Sequence, residues 1–161
     1  RAGISAEYLS PGLLGPPEAW RGTYYVEPPD PAWPPEKVES YLRGWNETEI
    51  ALTAAHEAYP GHHVQAWWSL RERSPLRTAL WSGTFVEGWA VYSERVMIDE
   101  GFRRDDPLMR LIQLKWYLRG VTNAIMDSAI HVDGMTRDEA MQLMAVTGFQ
   151  EEREAAGRAP P

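Results

Sequence analysis

Residues 54–65 read Ala54-Ala55-His56-Glu57-Ala58-Tyr59-Pro60-Gly61-His62-His63-Val64-Gln65, and they hold three of the four histidines of the chain. A zinc hydrolase uses neutral imidazoles as ligands and a nearby carboxylate as the base that accepts a proton from water. A His-Glu pair followed within one or two turns by another histidine is the helical form of that arrangement. The stretch therefore indicates a metal site carried by a helix.

The spacing of the histidines requires a break in that helix. In an unbroken α-helix His62 would point about 240° round the axis from His56, whereas His63 would share its face but lie roughly 10.5 Å further along. Proline removes a helical donor and glycine tolerates unusual dihedral angles, so Pro60-Gly61 predicts a kink or bulge. We expect this break to turn His62 towards His56, with His63 packing elsewhere or supporting the site indirectly.

A second helix is predicted from Thr84 to Glu100, ended by Gly101. Glu87 lies on an otherwise apolar flank of this helix, where a carboxylate is costly unless it is paired or bound to a metal. A solvated glutamate on the helix surface is the alternative. Glu94 could hydrogen-bond to a ligand histidine and orient it, or it could also lie on the surface.

The motif His56-Glu57-Ala58-Tyr59-Pro60-Gly61-His62-His63-Val64-Gln65 resembles the signature of the bacterial DUF885 family. That family is similar to zinc metallopeptidases of the gluzincin type, whose motif is shorter by two residues before Gly-His. Segments 85–94 and 127–136 support the resemblance. It implies a zinc ion held by His56, His62 and Glu87, with Glu57 as the general base.

The resemblance also implies roles on the substrate side of the site. His131 would point towards the metal without binding it and would donate a hydrogen bond to the oxyanion. A histidine favoured by the helix dipole is the alternative for this residue. Tyr117 and Arg119 are weaker candidates for the same role. Residues Gly22 to Val26 are a short strand candidate. Its part from Tyr24 to Val26 could bind substrate backbone, or it could simply be extended chain with buried tyrosines.

The pattern of prolines, glycines and apolar residues predicts a mainly α fold that resembles the helical half of the zincin architecture, with at most a short edge strand or hairpin. Residues 1–35 are expected to be a Pro/Gly-rich extended segment and 36–148 the helical, metal-binding catalytic region. The long helix should run from Asp106 to about Ile130. The spacing of Thr136 and Glu139 predicts a capping box for the next helix. Residues 149–161 are expected to be a disordered tail.

Composition excludes several classes of protein. The net charge is −7 and no basic run is present, which argues against a nucleic-acid partner. The absence of cysteine excludes disulfides and thiolate metal sites. No apolar run approaches the ~20 residues of a membrane span. Because the chain begins at Arg1, we interpret it as the catalytic piece of a longer protein whose remainder could pack on the site.

The function that these features favour is zinc-dependent hydrolysis of peptide bonds, with Zn²⁺ as cofactor and a peptide or protein as substrate. Two alternatives remain open at this point. One is a metal-binding helical domain without catalysis. The other is a helical interaction module in which the histidines cap or pack and the tryptophans form a surface for a partner. The sequence indicates no cellular compartment.

Overall fold

The computed structural model describes residues 6–11, 16–72, 74–151 and 155–156, and helices dominate them. The strand content of these residues is one two-stranded antiparallel sheet. The predicted class, mainly α with a short hairpin, is therefore confirmed. The elements are β1 (Ala6–Leu9), β2 (Thr23–Val26), α1 (Pro35–Gly44), α2 (Glu47–Glu57), α3 (His62–Arg71), α4 (Pro75–Ala79), α5 (Gly83–Asp99), α6 (Met109–Ser128) and α7 (Arg137–Gln142), with a 3₁₀ turn at Pro17–Ala19 and π-helical segments at Ala129–Asp133 and Leu143–Thr147.

Local signals set several helix ends. The capping box of α7 is present: the Thr136 hydroxyl accepts from the Glu139 N–H, and the Glu139 carboxylate accepts from the Thr136 N–H at 2.8 Å. Gly101 follows α5 with φ of 95°, a left-handed conformation that favours glycine. The helix predicted to run to about Ile130 ends as α6 at Ser128 and continues as a π-helical segment to Asp133.

The chain divides into two compact units, and the boundaries differ from those that the sequence suggests. One, which we name the histidine unit, combines residues 5–28 with 47–109 and contains the hairpin and α2 to α5. The other, the C-terminal unit, combines residues 1–4, 29–46 and 110–161. The hairpin belongs with the motif helices, and not with a separate extended segment, because β1 packs on α2.

The interior of the histidine unit lies where α2 meets α5 and α3. Leu52 and Ala55 of α2, Ala66 and Leu70 of α3, and Ala90 of α5 form its buried apolar part. Polar and charged side chains are buried in the same unit, which is unusual because a buried charge needs a partner or a metal. These are Thr48, Glu49, Thr53, His56, Ser93 and Glu94.

The hairpin pairs Tyr8 of β1 directly with Tyr24 of β2. Strand β2 lies where the sequence predicts a strand. Strand β1 has no such signal in the sequence. Directly opposed residues in an antiparallel pair point to the same side of the sheet, so both tyrosine side chains share one face.

The C-terminal unit has a small core in which Met126, Ala140, Met144 and Ala155 are buried. Ala155 falls within the predicted disordered tail, yet it is fully buried, because its methyl group fits among the methionines. Residues 152–154 and 157–161 lie outside the described residues, as does the Gly-Leu-Leu-Gly stretch at 12–15. Among the helices that the structure describes, none is both long and apolar enough to cross a membrane.

Candidate metal centre

The helix break predicted at Pro60-Gly61 is present. Helix α2 ends at Glu57 and α3 begins at His62. The Gly61 N–H donates to the Ala55 carbonyl at 2.9 Å, which closes a turn wider than an α-helical one. A Cβ atom on Gly61 would overlap the carbonyl oxygen of His56, so close approach of the backbone requires glycine here.

Trp89 of α5 holds this turn in place. Its indole N–H lies 3.0 Å from the Pro60 carbonyl and 3.2 Å from the Gly61 carbonyl, and it donates to both. Backbone carbonyls in a non-helical turn lack the N–H partners that a helix supplies, so they need hydrogen-bond donors from elsewhere. The side chain of Trp89 supplies one from the helix that also carries Glu87.

The break brings His56 and His62 together. Their ring centroids are 4.8 Å apart and the rings are nearly perpendicular, at 88°. The Nε2 atom of each histidine lies 3.7 Å from the same oxygen, Oε2 of Glu87. Three residues from three different helices thus present one ligand atom each to a common point.

Glu94 fixes the orientation of His56. Its Oε1 atom lies 2.6 Å from Nδ1 of His56, and its side chain is 1% exposed. The interpretation of Glu94 as a surface residue is therefore wrong. Because Nδ1 donates to this carboxylate, the lone pair of a neutral His56 is on Nε2, the atom that faces Glu87.

The donor set fits a zinc ion. Ligand nitrogen and oxygen atoms about 2.0–2.1 Å from a tetrahedral zinc are about 3.3 Å from each other. The two distances of 3.7 Å from Glu87 Oε2 are close to that separation. Glu57 also places a carboxylate oxygen close by, since one ligand atom each from His56, Glu57 and His62 lie within 4.8 Å of one another.

The electrostatics of the cluster favour a bound cation. Burial lowers the pKa of His56, but the hydrogen bond with Glu94, the nearby Glu87 carboxylate and the charges of Glu94 and Glu57 outweigh it and raise that pKa to about 9. Burial and the charge of His56 lower the pKa of His62. The interaction with the nearby His56 ring lowers the pKa of Glu87 in spite of burial. The carboxylates of Glu57, Glu87 and Glu94 thus keep the His56 ring protonated, and a bound metal ion would replace that proton.

Glu57 has a different environment from Glu87. Its Oε2 atom accepts a hydrogen bond of 2.9 Å from the backbone N–H of Tyr8 in β1. Burial raises the pKa of the Glu57 carboxyl, against the opposing effects of His56 and of that N–H. A carboxylate with a raised pKa is a better proton acceptor near neutral pH than an ordinary one.

Two tyrosines of the hairpin lie near Glu57, and His63 contacts one of them. Burial and the charge of Glu57 raise the pKa of Tyr24 to about 12, and among the described residues its buried hydroxyl has no hydrogen-bond partner. The Nδ1 atom of His63 lies 3.0 Å from the hydroxyl of Tyr8. Sequence reasoning missed Tyr8, because no motif marks it and its contacts are all distant in the chain.

The remaining predicted site residues lie in the C-terminal unit. His131 is exposed, and its Nδ1–H donates to the Asp127 carbonyl at 2.7 Å. Tyr117 is 57% exposed. The guanidinium of Arg119 lies 4.1 Å from the centre of the Trp116 ring. The role of these residues at the metal stays a prediction.

The fold and the site define a helical protein with a candidate metal centre of two histidines and flanking glutamates. The chain belongs to the DUF885 family, described as "Bacterial protein of unknown function", which it matches over residues 1–159. No curated protein matches it.

Two solved structures are similar to this chain. One is described as a "putative lipoprotein of unknown function" from Shewanella oneidensis, with 39% identity and a TM-score of 0.81 over 98% of this chain. The other is described as a "putative lipoprotein" from Colwellia psychrerythraea, with 26% identity and a TM-score of 0.80 over 96% of this chain. The present chain spans 28% and 24% of their lengths.

Proposed function

We propose that this chain carries the metal centre of a zinc-dependent hydrolase that cleaves peptide bonds. The observation that supports it most directly is the position of Glu87 Oε2, at 3.7 Å from Nε2 of both His56 and His62. Structural zinc sites are closed by four protein ligands, whereas catalytic sites use three and leave a position open. Two histidines and one glutamate are such a three-ligand set.

His56, His62 and Glu87 would hold the ion, and Glu94 would keep His56 in the correct tautomer. Zinc in such a site polarises a carbonyl group and lowers the pKa of water towards ~7. Glu87 is the better third ligand than Glu57, because its oxygen is equally distant from both histidines, whereas Oε2 of Glu57 is already bonded to Tyr8.

Glu57 would act as the general base. It follows a ligand histidine directly in sequence, and its raised pKa suits proton transfer near neutral pH. The carboxylate would accept a proton from the attacking water and deliver it to the leaving amine.

The substrate side of the site includes Tyr24. Burial and the nearby Glu57 carboxylate raise the pKa of its hydroxyl to about 12, so the hydroxyl stays protonated at neutral pH. A buried hydroxyl with no partner among the described residues can donate to a substrate carbonyl without first breaking another bond. Peptide and protein substrates are the class that the proposed chemistry fits.

A metal-binding domain without catalysis is the second candidate. The predicted ligands and Glu57 all lie in the histidine unit, whereas His131, Tyr117 and Arg119 belong to the C-terminal unit. A complete donor set on its own would bind zinc whether or not the groups needed for turnover were in place.

The test combines metal content with turnover. Purified chain exchanged into Zn²⁺ should hold one zinc per chain and hydrolyse a library of internally quenched peptides. Glu57→Gln should keep the zinc and lose ~10²-fold or more in rate, the scale of a positioned general base. Zinc without turnover in the wild type would favour the second candidate, and a chain without zinc would overturn both.

A further inference from the structure

Tyr8 of strand β1 makes two contacts with the histidine motif. Its backbone N–H donates to Glu57 at 2.9 Å. Its hydroxyl lies 3.0 Å from Nδ1 of His63, and the two rings meet edge to face at 5.6 Å. One residue therefore contacts the last residue of α2 and the second residue of α3, on either side of the helix break.

The other strand of the hairpin makes room for this contact. A Cβ atom on Gly22 would overlap the phenol ring of Tyr8. Gly22 precedes β2 directly, so the ring of Tyr8 packs over the start of that strand. The ring is thus confined by Gly22 on one side and by His63 on the other, which restricts where its backbone can lie.

This arrangement accounts for the position of Glu57. Glutamate side chains lose much rotamer freedom when they are held in place, so a fixed carboxylate needs a fixed partner. A backbone N–H in a strand is such a partner only if the strand itself is anchored. Holding one carboxylate oxygen leaves the other able to accept a proton, and a base that is already in position does not have to be ordered during the reaction.

We propose that Tyr8 and His63 are positioning residues for Glu57: His63 anchors the hydroxyl of Tyr8, and the backbone of Tyr8 holds the carboxylate. This inference rests on the proposed function for the catalytic role of Glu57. It gives the second histidine of the His62-His63 pair a task distinct from metal binding.

The test compares Tyr8→Phe, which removes only the hydroxyl, with His63→Ala and with the double variant. Each single variant should keep one zinc per chain and lose kcat about tenfold with little change in KM on one internally quenched peptide, the scale of a lost hydrogen bond. The double variant should be no worse than either single one, because both changes break the same contact. His63→Asn, whose amide lies near the place of Nδ1, should recover part of the rate.

Tyr92→Phe, at an exposed tyrosine of α5, is the matched control and should change nothing. A second readout does not depend on turnover: hydrogen exchange of the Tyr8 amide should accelerate in His63→Ala and in Glu57→Ala. If the chain hydrolyses no peptide, the proposed function fails. The exchange rates alone then show whether His63 anchors Tyr8. Additive losses in the double variant, or a Tyr8 amide that exchanges equally slowly in His63→Ala, would overturn the proposal.

Discussion

The Oε1 atom of Glu94 lies 2.6 Å from Nδ1 of His56, in the interior between α5 and α2. The pair sets which nitrogen of His56 faces Glu87, and it does so from a carboxylate that solvent barely reaches. A buried carboxylate is costly without a cation, so the pair and the proposed metal should depend on each other.

We therefore expect Glu94→Gln to lower zinc affinity about 10- to 100-fold, the usual effect of removing a carboxylate that supports a ligand histidine. Competition with a chromogenic zinc chelator would measure it. Glu100→Gln, at an exposed glutamate just after the same helix, is the matched control and should bind zinc like the wild type. Equal affinity of the Glu94 variant would show that His56 is oriented by other contacts.

The two adjacent histidines should respond differently to substitution. His62→Ala removes a proposed ligand and should abolish stoichiometric zinc binding, whereas His63→Ala should retain one zinc per chain. The reason is geometric, because His62 faces His56 and Glu87 while Nδ1 of His63 faces Tyr8. Metal analysis after gel filtration would distinguish them, and loss of zinc from the His63 variant alone would reverse the assignment.

Gly61→Ala should disturb the centre through the backbone. The added methyl group would overlap the His56 carbonyl, and overpacking of this kind costs about 1–3 kcal/mol. Thermal unfolding and zinc affinity should both fall. Gly88→Ala is the control: in the described structure nothing lies within 4 Å of its added Cβ, and alanine favours the helix. A Gly61 variant as stable as Gly88→Ala would mean that the turn can shift freely.

Much of this centre could be predicted because its signals are local. Pro60-Gly61 marks the break, and the order His-Glu followed by histidine marks the side chains that the break brings together. Thr136 and Glu139 likewise form the capping box that their spacing predicts. In each case the residues that decide the geometry lie within a few positions of each other.

The contacts that could not be predicted join residues far apart in sequence. Strand β1 is too short to show a pattern, and Tyr8 reaches Glu57 and His63 across 49 and 55 positions. Glu94 is ambiguous in the sequence for another reason: periodicity identifies a helix but does not show which buried group a polar side chain meets. Ala155 is buried by tertiary packing within a segment whose composition resembles disorder.

Asp106 should make the stability of the histidine unit depend on acid pH. The Thr48 hydroxyl and the Leu108 N–H donate to its carboxylate at 2.8 and 3.0 Å and lower its pKa, with Arg103 adding to the effect. A carboxyl whose pKa is lower in the folded state stabilises the fold above its unfolded pKa, near ~3.9. That stabilisation is lost as the pH falls through the lower folded value.

Asp106→Asn should therefore lower the Tm at pH 7, and the difference from the wild type should shrink as the pH falls below about 3.9. Differential scanning calorimetry across this range would measure it. Asp105→Asn, at the exposed neighbouring position, is the matched control for the loss of one carboxylate. A difference in Tm that stays constant with pH would assign the effect of Asp106 to packing alone.

The predicted oxyanion role of His131 can be tested by substitution. Its Nδ1–H donates to the Asp127 carbonyl, so in the neutral ring Nε2 is an acceptor, and donation from Nε2 requires the protonated ring. If His131 donates to the oxyanion, His131→Ala should keep one zinc per chain and lower kcat about 10²-fold with little change in KM. If it serves only the end of its helix, the same variant should instead lose thermal stability and keep its kcat. Measuring zinc content, Tm and kcat on one preparation separates the two roles, and an unchanged kcat would remove His131 from the mechanism.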